Sequence, residues 1–301
     1  HDSRRLDIDL LRALAVLAVI FYHFEVPGFS GGFLGVDIFF VISGYLISLH
    51  IQEQIDGSGF SFLYFYLRRI RRLYPAYLGA MILTSIGAFA LLPHALLADF
   101  THSQIASSIY LSNIYFWSKA DYFDTESILK PLLHTWSLSV EEQFYILWPL
   151  FLVWTAAWRK RAILIAGTLS LLAAELYNDH AATTVFYMLP FRVFEFSIGA
   201  LACHRSLASY RYGIQKLLIL TSLLVIALTL TLVDSSTATH GFLAFPLCLA
   251  TATIIVLRHE WLNRDGRMLR ILQHIGLISY SAYLVHWPLV VFYKIEKIPC
   301  L

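Results

Sequence analysis

The sequence predicts an all-α fold, a polytopic transmembrane helical domain of about nine to ten spans with a cytoplasmic N-terminus. Three observations lead to this prediction. Hydrophobic residues make up 58% of the 301 residues and charged residues only 14%, and the mean hydropathy is +0.66. The apolar residues also fall in stretches long enough to cross a bilayer. Soluble domains carry about a quarter charged residues, so this class is excluded.

Nine apolar windows are candidate spans: 8–24, 33–49, 74–92, 138–157, 162–177, 183–201, 214–233, 241–257 and 272–292. A tenth segment, 103–117, is amphipathic and too polar for a span, so we expect it at the outer interface or as a re-entrant piece. The first window carries charges and does not have the pattern of a cleaved signal peptide. No internal repeat or polar linker divides the chain, which predicts one transmembrane domain over residues 1–301.

The basic residues predict the orientation, because short loops rich in Lys and Arg stay in the cytoplasm. With the N-terminus inside, sixteen basic residues fall in cytoplasmic loops and only four in outer loops, namely Lys119, Lys130, Lys294 and Lys297. Nine spans would then place the C-terminus outside. The net charge of +2 reflects this distribution, so we expect no nucleic-acid partner.

The first window carries two ionisable residues, Arg12 and His23, although such groups are expensive in hydrocarbon. They are eleven residues apart, or three helical turns plus about 20°, so both leave the helix on one face roughly 16 Å apart. This placement predicts one functional cavity. The cation would hold an anionic ligand from the cytoplasm, and the imidazole would accept a proton or an acyl group. Alternatively, Arg12 snorkels or pairs with Asp9, and His23 caps the helix at the interface.

Further polar residues fall in the outer half of the predicted bundle. His134, Ser137 and Glu141 have the i, i+3, i+7 spacing of one helical face. For Glu141, interaction with the helix dipole competes with an acid or base role. For the other polar residues a purely structural role is also considered. Arg192 and Glu195 would form a buried ion pair, which we favour, and His286 would be an interfacial anchor.

Five segments are long and ordered enough to compare with known families: RRLDIDLLRALAVLAVIFYH, GGFLGVDIFFVISGYLI, RRIRRLYPAY, LLHTWSLSVEEQFYILWPL and ISYSAYLVHWPL. Together they resemble the bacterial acyltransferase-3 membrane proteins, especially the O-antigen and surface-polysaccharide O-acetyltransferases. The resemblance runs from residue 4 to about residue 293. One departure is Leu10, where the family usually has glycine, and we expect it to change local packing only.

The resemblance implies a multi-pass enzyme of the bacterial inner membrane. It would take an acetyl group from cytoplasmic acetyl-CoA and deliver it to a hydroxyl of a lipid-linked or surface polysaccharide such as O-antigen. The family's arginine, ten residues and histidine match Arg12 and His23, its basic element matches Arg68 and Arg72, and its glutamate matches Glu141.

Combining the resemblance with the residue patterns, we expect catalysis by His23, Arg12, Glu141 and His134, and donor binding by Arg12, Arg68 and Arg72. Clustered guanidinium groups suit the phosphates of CoA, although the same cluster also serves as a positive-inside anchor. His23 would be a general base or a transient acetyl carrier, oriented by Glu141 or His134. The supporting residues would be Asp9, Trp136, Ser137, Arg192, Glu195 and His286.

Members of this family usually continue into a tenth span, and often into an eleventh and an extracytoplasmic SGNH hydrolase-like domain. The chain stops at Leu301, so we expect a chain truncated at its C-terminal end relative to them. A C-terminal or separate SGNH-type domain is then an expected partner, besides the bilayer.

Two other functions compete with O-acetyl transfer. A transporter or flippase is an alternative because intramembrane charges mark transport pathways as well as active sites. A glycerolipid acyltransferase is a weaker one, based on the H-x4-D spacing of His94 and Asp99, which the topology places outside. The three cysteines are scattered and form no CxxC pair, so we expect no metal.

Overall fold

A computed structural model describes residues 5–57, 59–120, 129–204, 211–234, 241–258 and 266–297. The described residues are 86% helical, and no β-strand occurs among them. The described residues form eleven α-helices: α1 Leu6–His23, α2 Gly35–Asp56, α3 Phe62–Leu91, α4 His94–Ser108, α5 Ser112–Lys119, α6 Thr135–Trp154, α7 Arg159–Tyr187, α8 Leu189–Ala202, α9 Tyr212–Leu232, α10 Phe245–Leu257 and α11 Arg267–Glu296. The predicted all-α class is therefore confirmed.

Several of these helices are long and apolar enough to cross a membrane. Four described segments meet that test: Gly32–Asp56, Phe62–Leu91, Tyr212–Leu232 and Arg267–Glu296. A fifth is added if the bent pair Ala156–Tyr187 and Leu189–Ala202 counts as one span. The chain is thus a multi-pass helical membrane protein. Nine or ten spans, and the cytoplasmic N-terminus, stay predictions.

The fifth and sixth predicted windows, 162–177 and 183–201, correspond to helices α7 and α8, whose common boundary lies elsewhere than predicted. Helix α7 continues to Tyr187 with a kink at Ala181, and α8 leaves it at an angle of 75°. Pro190 lies in the first turn of α8, and its missing N–H cannot continue the hydrogen bonds of α7. The boundary between the two segments is set by this proline rather than by the polar residues around position 180.

Helix α1 packs along α11, although the two are at opposite ends of the sequence. Three pairs join them in matching order: Asp9 backbone with Gly276, Arg12 with Ser279, and His23 with His286. The two helices therefore run parallel. A side chain on Gly276 would overlap the Asp9 carbonyl oxygen, so glycine is what permits this close approach.

Helix α2 packs against α8 through a second pair of glycines. A Cβ on Gly44 would overlap the Phe196 carbonyl, and a Cβ on Gly199 would overlap the Val41 carbonyl. Around this contact the apolar core is aromatic, with the ring of Phe196 stacked 4.6 Å from Phe40. Helices α1, α2, α3, α6 and α11 together surround the cavity described next.

Candidate functional site

A cavity with a volume of about 460 Å³ lies within the described part of the chain. Side chains of α1, α2, α3, α6 and α11 line it, together with Tyr110 between α4 and α5. One wall is apolar and comes mostly from α2. The charged lining residues are four arginines and three glutamates, namely Arg12, Arg68, Arg69, Arg72, Glu53, Glu141 and Glu142. Four guanidinium groups around one cavity suit an anionic ligand with an apolar part.

Arg12 forms part of this wall at the middle of α1. Its Nε donates a hydrogen bond to the Ser279 hydroxyl at 3.2 Å. Its charged neighbours are Glu141 and Asp9, which attract it, and Arg72, which repels it. Arg12 therefore faces the cavity and does not snorkel out of the bundle.

Three of the four arginines of α3 line the cavity. Arg68 donates from Nη1 to the Nε2 of His50 at 3.2 Å. The guanidinium of Arg69 lies 3.4 Å from the ring centroid of Tyr145, a cation–π contact that fixes its direction. Arg71, on the same helix, is exposed and is not among the lining residues. The predicted pair Arg68 and Arg72 thus lines the cavity, and Arg69 joins them.

Glu141 also lines the cavity, where it is a charged neighbour of Arg12. It accepts hydrogen bonds from the hydroxyls of Ser43 and Tyr145. No hydrogen bond joins it to His23 among the described residues, so the expectation that Glu141 orients His23 is wrong. The physical reason is distance, because Glu141 lies two turns, about 10 Å, beyond His134 along α6.

Three predicted histidines come together at the other end of α1. The Nδ1 of His23 lies 3.1 Å from the Nε2 of His286, and the two rings stack with centroids 5.2 Å apart. His134 packs edge-on against His286 at 5.8 Å. Trp287 covers the ring of His23 at 4.6 Å. His134 and His286 are buried, with 5% and 4% of their surfaces exposed.

A partition separates the cavity from this histidine cluster. It consists of Phe39, Ser137 and Tyr283. These three residues line the cavity, whereas none of the three histidines lines it. The Ser137 and Tyr283 hydroxyls are 2.6 Å apart, and Tyr283 also donates to the His134 carbonyl at 3.1 Å. The prediction of one cavity shared by Arg12 and His23 is therefore wrong in this structure. The tyrosine ring fills the space that the helix-face geometry left open.

Trp136, Arg192 and Glu195 lie away from the cavity. Arg192 forms ion pairs with Asp37 at 3.3 Å and Glu195 at 3.1 Å, and all three side chains are at most 2% exposed. Trp136 packs against Phe186 and lies 5.9 Å from the Arg192 guanidinium. The buried ion pair is present, with Asp37 as an additional partner.

Sequence reasoning missed Ser279, Tyr283 and Arg69. Ser279, Tyr283 and His286 are spaced i, i+4, i+7 on α11, so a search for one polar face on that window would have found the first two. Arg69 carried no such signal, because all four arginines between 68 and 72 are equivalent in sequence.

These features define a multi-pass helical membrane protein with an internal, arginine-lined site next to a buried histidine cluster. Residues 5–295 match the family model described as "Acyltransferase domain". The chain belongs to this family.

Curated relatives agree with this membership. The chain is 35% identical over 308 residues to a Bacillus subtilis protein provisionally named peptidoglycan O-acetyltransferase YrhL, covering 94% of the chain and 48% of the relative. It is 42% identical over 160 residues to the Listeria monocytogenes peptidoglycan O-acetyltransferase OatA, covering 52% and 26%. A Komagataeibacter xylinus protein provisionally named membrane-bound transacylase BcsY is 32% identical over 296 residues, covering 95% and 73%.

The chain spans about half the length of YrhL and about a quarter of OatA. No solved structure matches it. The two peptidoglycan relatives give no support to an O-antigen acceptor.

The pair His94 and Asp99, which raised the glycerolipid alternative, lies on α4. The Asp99 carboxylate accepts a hydrogen bond from the Tyr115 hydroxyl at 2.6 Å. Neither residue lines the cavity, and His94 is exposed, so the pair forms no part of the arginine-lined site.

Proposed function

We propose that this domain is an O-acetyltransferase of the bacterial cytoplasmic membrane, with its N-terminus in the cytoplasm. It takes the acetyl group from acetyl-CoA and transfers it to a hydroxyl of an extracytoplasmic glycan. The observation that carries the proposal is the arginine-lined cavity, whose Arg12 lies on the same helix as His23 and contacts the same partner helix.

The donor binds through its phosphates to the arginines of α3. Guanidinium groups bind phosphate oxygens bidentately, and Arg68, Arg69 and Arg72 converge on one cavity. The apolar wall from α2 accommodates the pantetheine arm. Arg12, deeper in the cavity, meets the polar thioester end.

Transfer requires the acetyl group to pass the partition of Phe39, Ser137 and Tyr283. Rotation of the Tyr283 ring, with loss of its bond to Ser137, opens the cavity toward His23. His23 then removes the proton of the acceptor hydroxyl as its oxygen attacks the thioester carbonyl carbon. The carbon–sulfur bond breaks, and the CoA thiolate leaves and recovers the proton from the imidazolium.

The acceptor is a glycan of the cell envelope. The names of YrhL and OatA favour peptidoglycan, so peptidoglycan fragments are the first acceptors to test and O-antigen the second. If purified protein released one CoA per molecule in a rapid burst without any acceptor, His23 would be a covalent acetyl carrier rather than a base.

A matched pair of variants tests the donor site. Arg68→Ala with Arg72→Ala should weaken acetyl-CoA binding at least tenfold in calorimetry on purified protein, because charge-assisted phosphate bonds are lost. Arg71→Ala removes one guanidinium charge from the same helix outside the cavity and should leave affinity within about twofold, whereas Arg68→Ala or Arg72→Ala alone, which also removes one charge, should weaken it measurably. Added salt should weaken wild-type binding. Equal effects of both variants would mean that the arginines only anchor the membrane domain.

A second pair separates donor binding from transfer. Arg12→Ala should lose acetyl-CoA affinity and activity together. His23→Ala should bind acetyl-CoA with near-normal affinity but transfer the acetyl group to peptidoglycan fragments, with release of free CoA, about 10² times more slowly, the scale for removing a positioned base. Full transfer activity in His23→Ala would refute the assignment of His23. Transport of acetyl-CoA without thioester cleavage would favour the transporter alternative.

A further inference from the structure

The hydrogen bonds of His286 determine which nitrogen of each ring carries a proton. The Nδ1 of His286 lies 2.6 Å from the carbonyl oxygen of Tyr283. A carbonyl oxygen can only accept a hydrogen bond, so this nitrogen must be protonated. A neutral imidazole carries a single N–H, so the Nε2 of His286 has a lone pair. That lone pair faces the Nδ1 of His23 at 3.1 Å.

The pair is neutral because nothing nearby balances a charge. His286 is 4% exposed, and an unpaired charge in such a site is costly. In the described part of the chain, no ion pair involves His23 or His286. The charged group nearest along the chain, Glu25, is bonded to Lys294 instead. His134 packs against the ring of His286 and adds a third imidazole, which carries no negative charge.

We propose that His286 is a positioning residue that holds His23 in the tautomer with a proton on Nδ1 and a lone pair on Nε2. This proposal rests on the function proposed above, in which His23 is the base. The direction of donation runs along the chain of atoms, from His23 Nδ1 to His286 Nε2 and from His286 Nδ1 to the Tyr283 carbonyl. The last acceptor in this series is the Tyr283 carbonyl oxygen, a backbone atom of α11 that can accept a hydrogen bond but cannot donate one.

This arrangement serves the transfer step in two ways. The Nε2 of His23 is the nitrogen that takes the acceptor proton, and His286 keeps it unprotonated beforehand. When His23 becomes an imidazolium, its Nδ1–H donates a charge-assisted bond to His286 Nε2, which stabilises the positive charge. The tautomer that imidazoles favour in water, protonated on Nε2, would present no lone pair to the acceptor.

The ring of His23 is also held in place from other sides. Stacking against His286 and edge contact with Trp287 fix its plane. Trp287 is itself anchored by a hydrogen bond from its Nε1 to the Lys130 carbonyl at 2.8 Å. Rotation of His23 away from His286 would break its contacts with both rings.

Two substitutions of His286 distinguish positioning from packing. His286→Gln keeps a carbonyl oxygen that can accept from His23 Nδ1, whereas His286→Leu keeps the volume and removes the acceptor. His286→Leu should lower kcat by about 10- to 100-fold, the range for losing an orienting partner of a functional histidine. The KM for acetyl-CoA should not change, and His286→Gln should recover most of kcat.

A matched control lies on the same helix. The Nδ1 of His274 also bonds to a carbonyl one turn back, that of Arg270, at 2.8 Å, but His274 is exposed. His274→Leu should leave kcat and KM unchanged. An equal loss of kcat in His274→Leu and His286→Leu would reduce the effect to helix packing.

Nitrogen NMR of the chain, labelled with 15N-histidine in lipid nanodiscs, measures the tautomer directly. The His23 signals, identified by their loss in His23→Gln, should show protonated Nδ1 and unprotonated Nε2 in the wild type. His286→Leu should shift His23 toward protonated Nε2. A wild-type His23 protonated on Nε2 would overturn the proposal even if His286→Leu fails to fold. Activity in His23→Ala would overturn the proposed function instead, leaving the tautomer result intact.

Discussion

Removing the cation of the buried cluster of Arg192, Asp37 and Glu195 should strongly destabilise the protein. Both carboxylates pair with one guanidinium, at 3.3 and 3.1 Å, and the three side chains are 2% exposed or less. Arg192→Met keeps the aliphatic volume but leaves two buried carboxyl groups without the cation that pairs with them. Losing one partner of a buried pair costs about 3–5 kcal/mol, which is at least two orders of magnitude in the unfolding equilibrium.

The expected signal is a fall of about 6–15 °C in the midpoint of thermal unfolding, from about 2–3 °C per kcal/mol for a chain of this size. The assay is the monodisperse fraction that survives heating, measured by size-exclusion chromatography in detergent. Adding Asp37→Asn and Glu195→Gln to Arg192→Met should recover at least half of the loss, because the uncompensated charges are then gone.

Arg161→Met is the control, since Arg161 is exposed on α7 and its loss should move the midpoint by less than about 2 °C. Two results would refute the reasoning. One is an Arg192→Met protein as stable as the wild type. The other is a triple variant less stable than the single one, which would mean that the carboxylates contribute through something other than their charge.

Three further predictions concern packing and surface charge. Gly276→Ala should separate α1 from α11, cost about 1–3 kcal/mol and lower activity, whereas Gly79→Ala, where a Cβ meets nothing within 4 Å, should be neutral or stabilising. Trp148→Phe removes a 2.7 Å hydrogen bond to a buried serine hydroxyl and should cost about 1 kcal/mol. The hydrogen bond and the charge of Lys294 lower the pKa of Glu25. The pair should therefore stabilise the folded protein at pH values above the ordinary carboxyl pKa. This stabilisation should be lost as the pH falls through the lowered pKa of Glu25. Since Glu25 is exposed, Glu25→Gln should change the unfolding midpoint very little at any pH.

Each of these has an outcome that would contradict it. Gly276→Ala with wild-type stability would mean that the two helices are not in close contact. A Trp148→Phe protein of unchanged stability would show that the hydrogen bond contributes nothing net. A strong dependence of stability on Glu25 in acid would show that the pair is shielded from water.

The sequence sufficed for the all-α class and for part of the lining of the cavity, because these depend on local signals. Apolar windows located most of the segments, and the eleven-residue spacing of Arg12 and His23 predicted that both leave α1 on one face. The family resemblance added Arg68 and Arg72, which do line the cavity. That Arg12 and His23 contact the same helix, α11, is tertiary information, because no local pattern at residue 12 encodes its contact with residue 279.

What the sequence did not predict depends on where side chains point in three dimensions. Tyr283 closes the space between Arg12 and the histidines because α6 and α11 bring it against Ser137, a contact across 146 residues. Glu141 turned toward Ser43 and Tyr145 rather than His23 for a similar reason. Asp37 was unremarkable in an apolar stretch until α8 placed Arg192 beside it.

The parallel pairing of the first and last helices has a consequence for biogenesis. Arg12 and Ser279 are 267 residues apart, so at about 5–20 residues per second a ribosome needs on the order of 10–50 s to make the second after the first. Throughout that interval α1 exists without the partner that receives its arginine and histidine. The nascent chain must keep α1 at the insertion machinery, or against α2, until α11 emerges. A ribosome stalled anywhere before residue 279 therefore leaves a membrane-inserted intermediate in which Arg12 lacks its hydrogen bond to Ser279, a natural target for quality-control proteolysis.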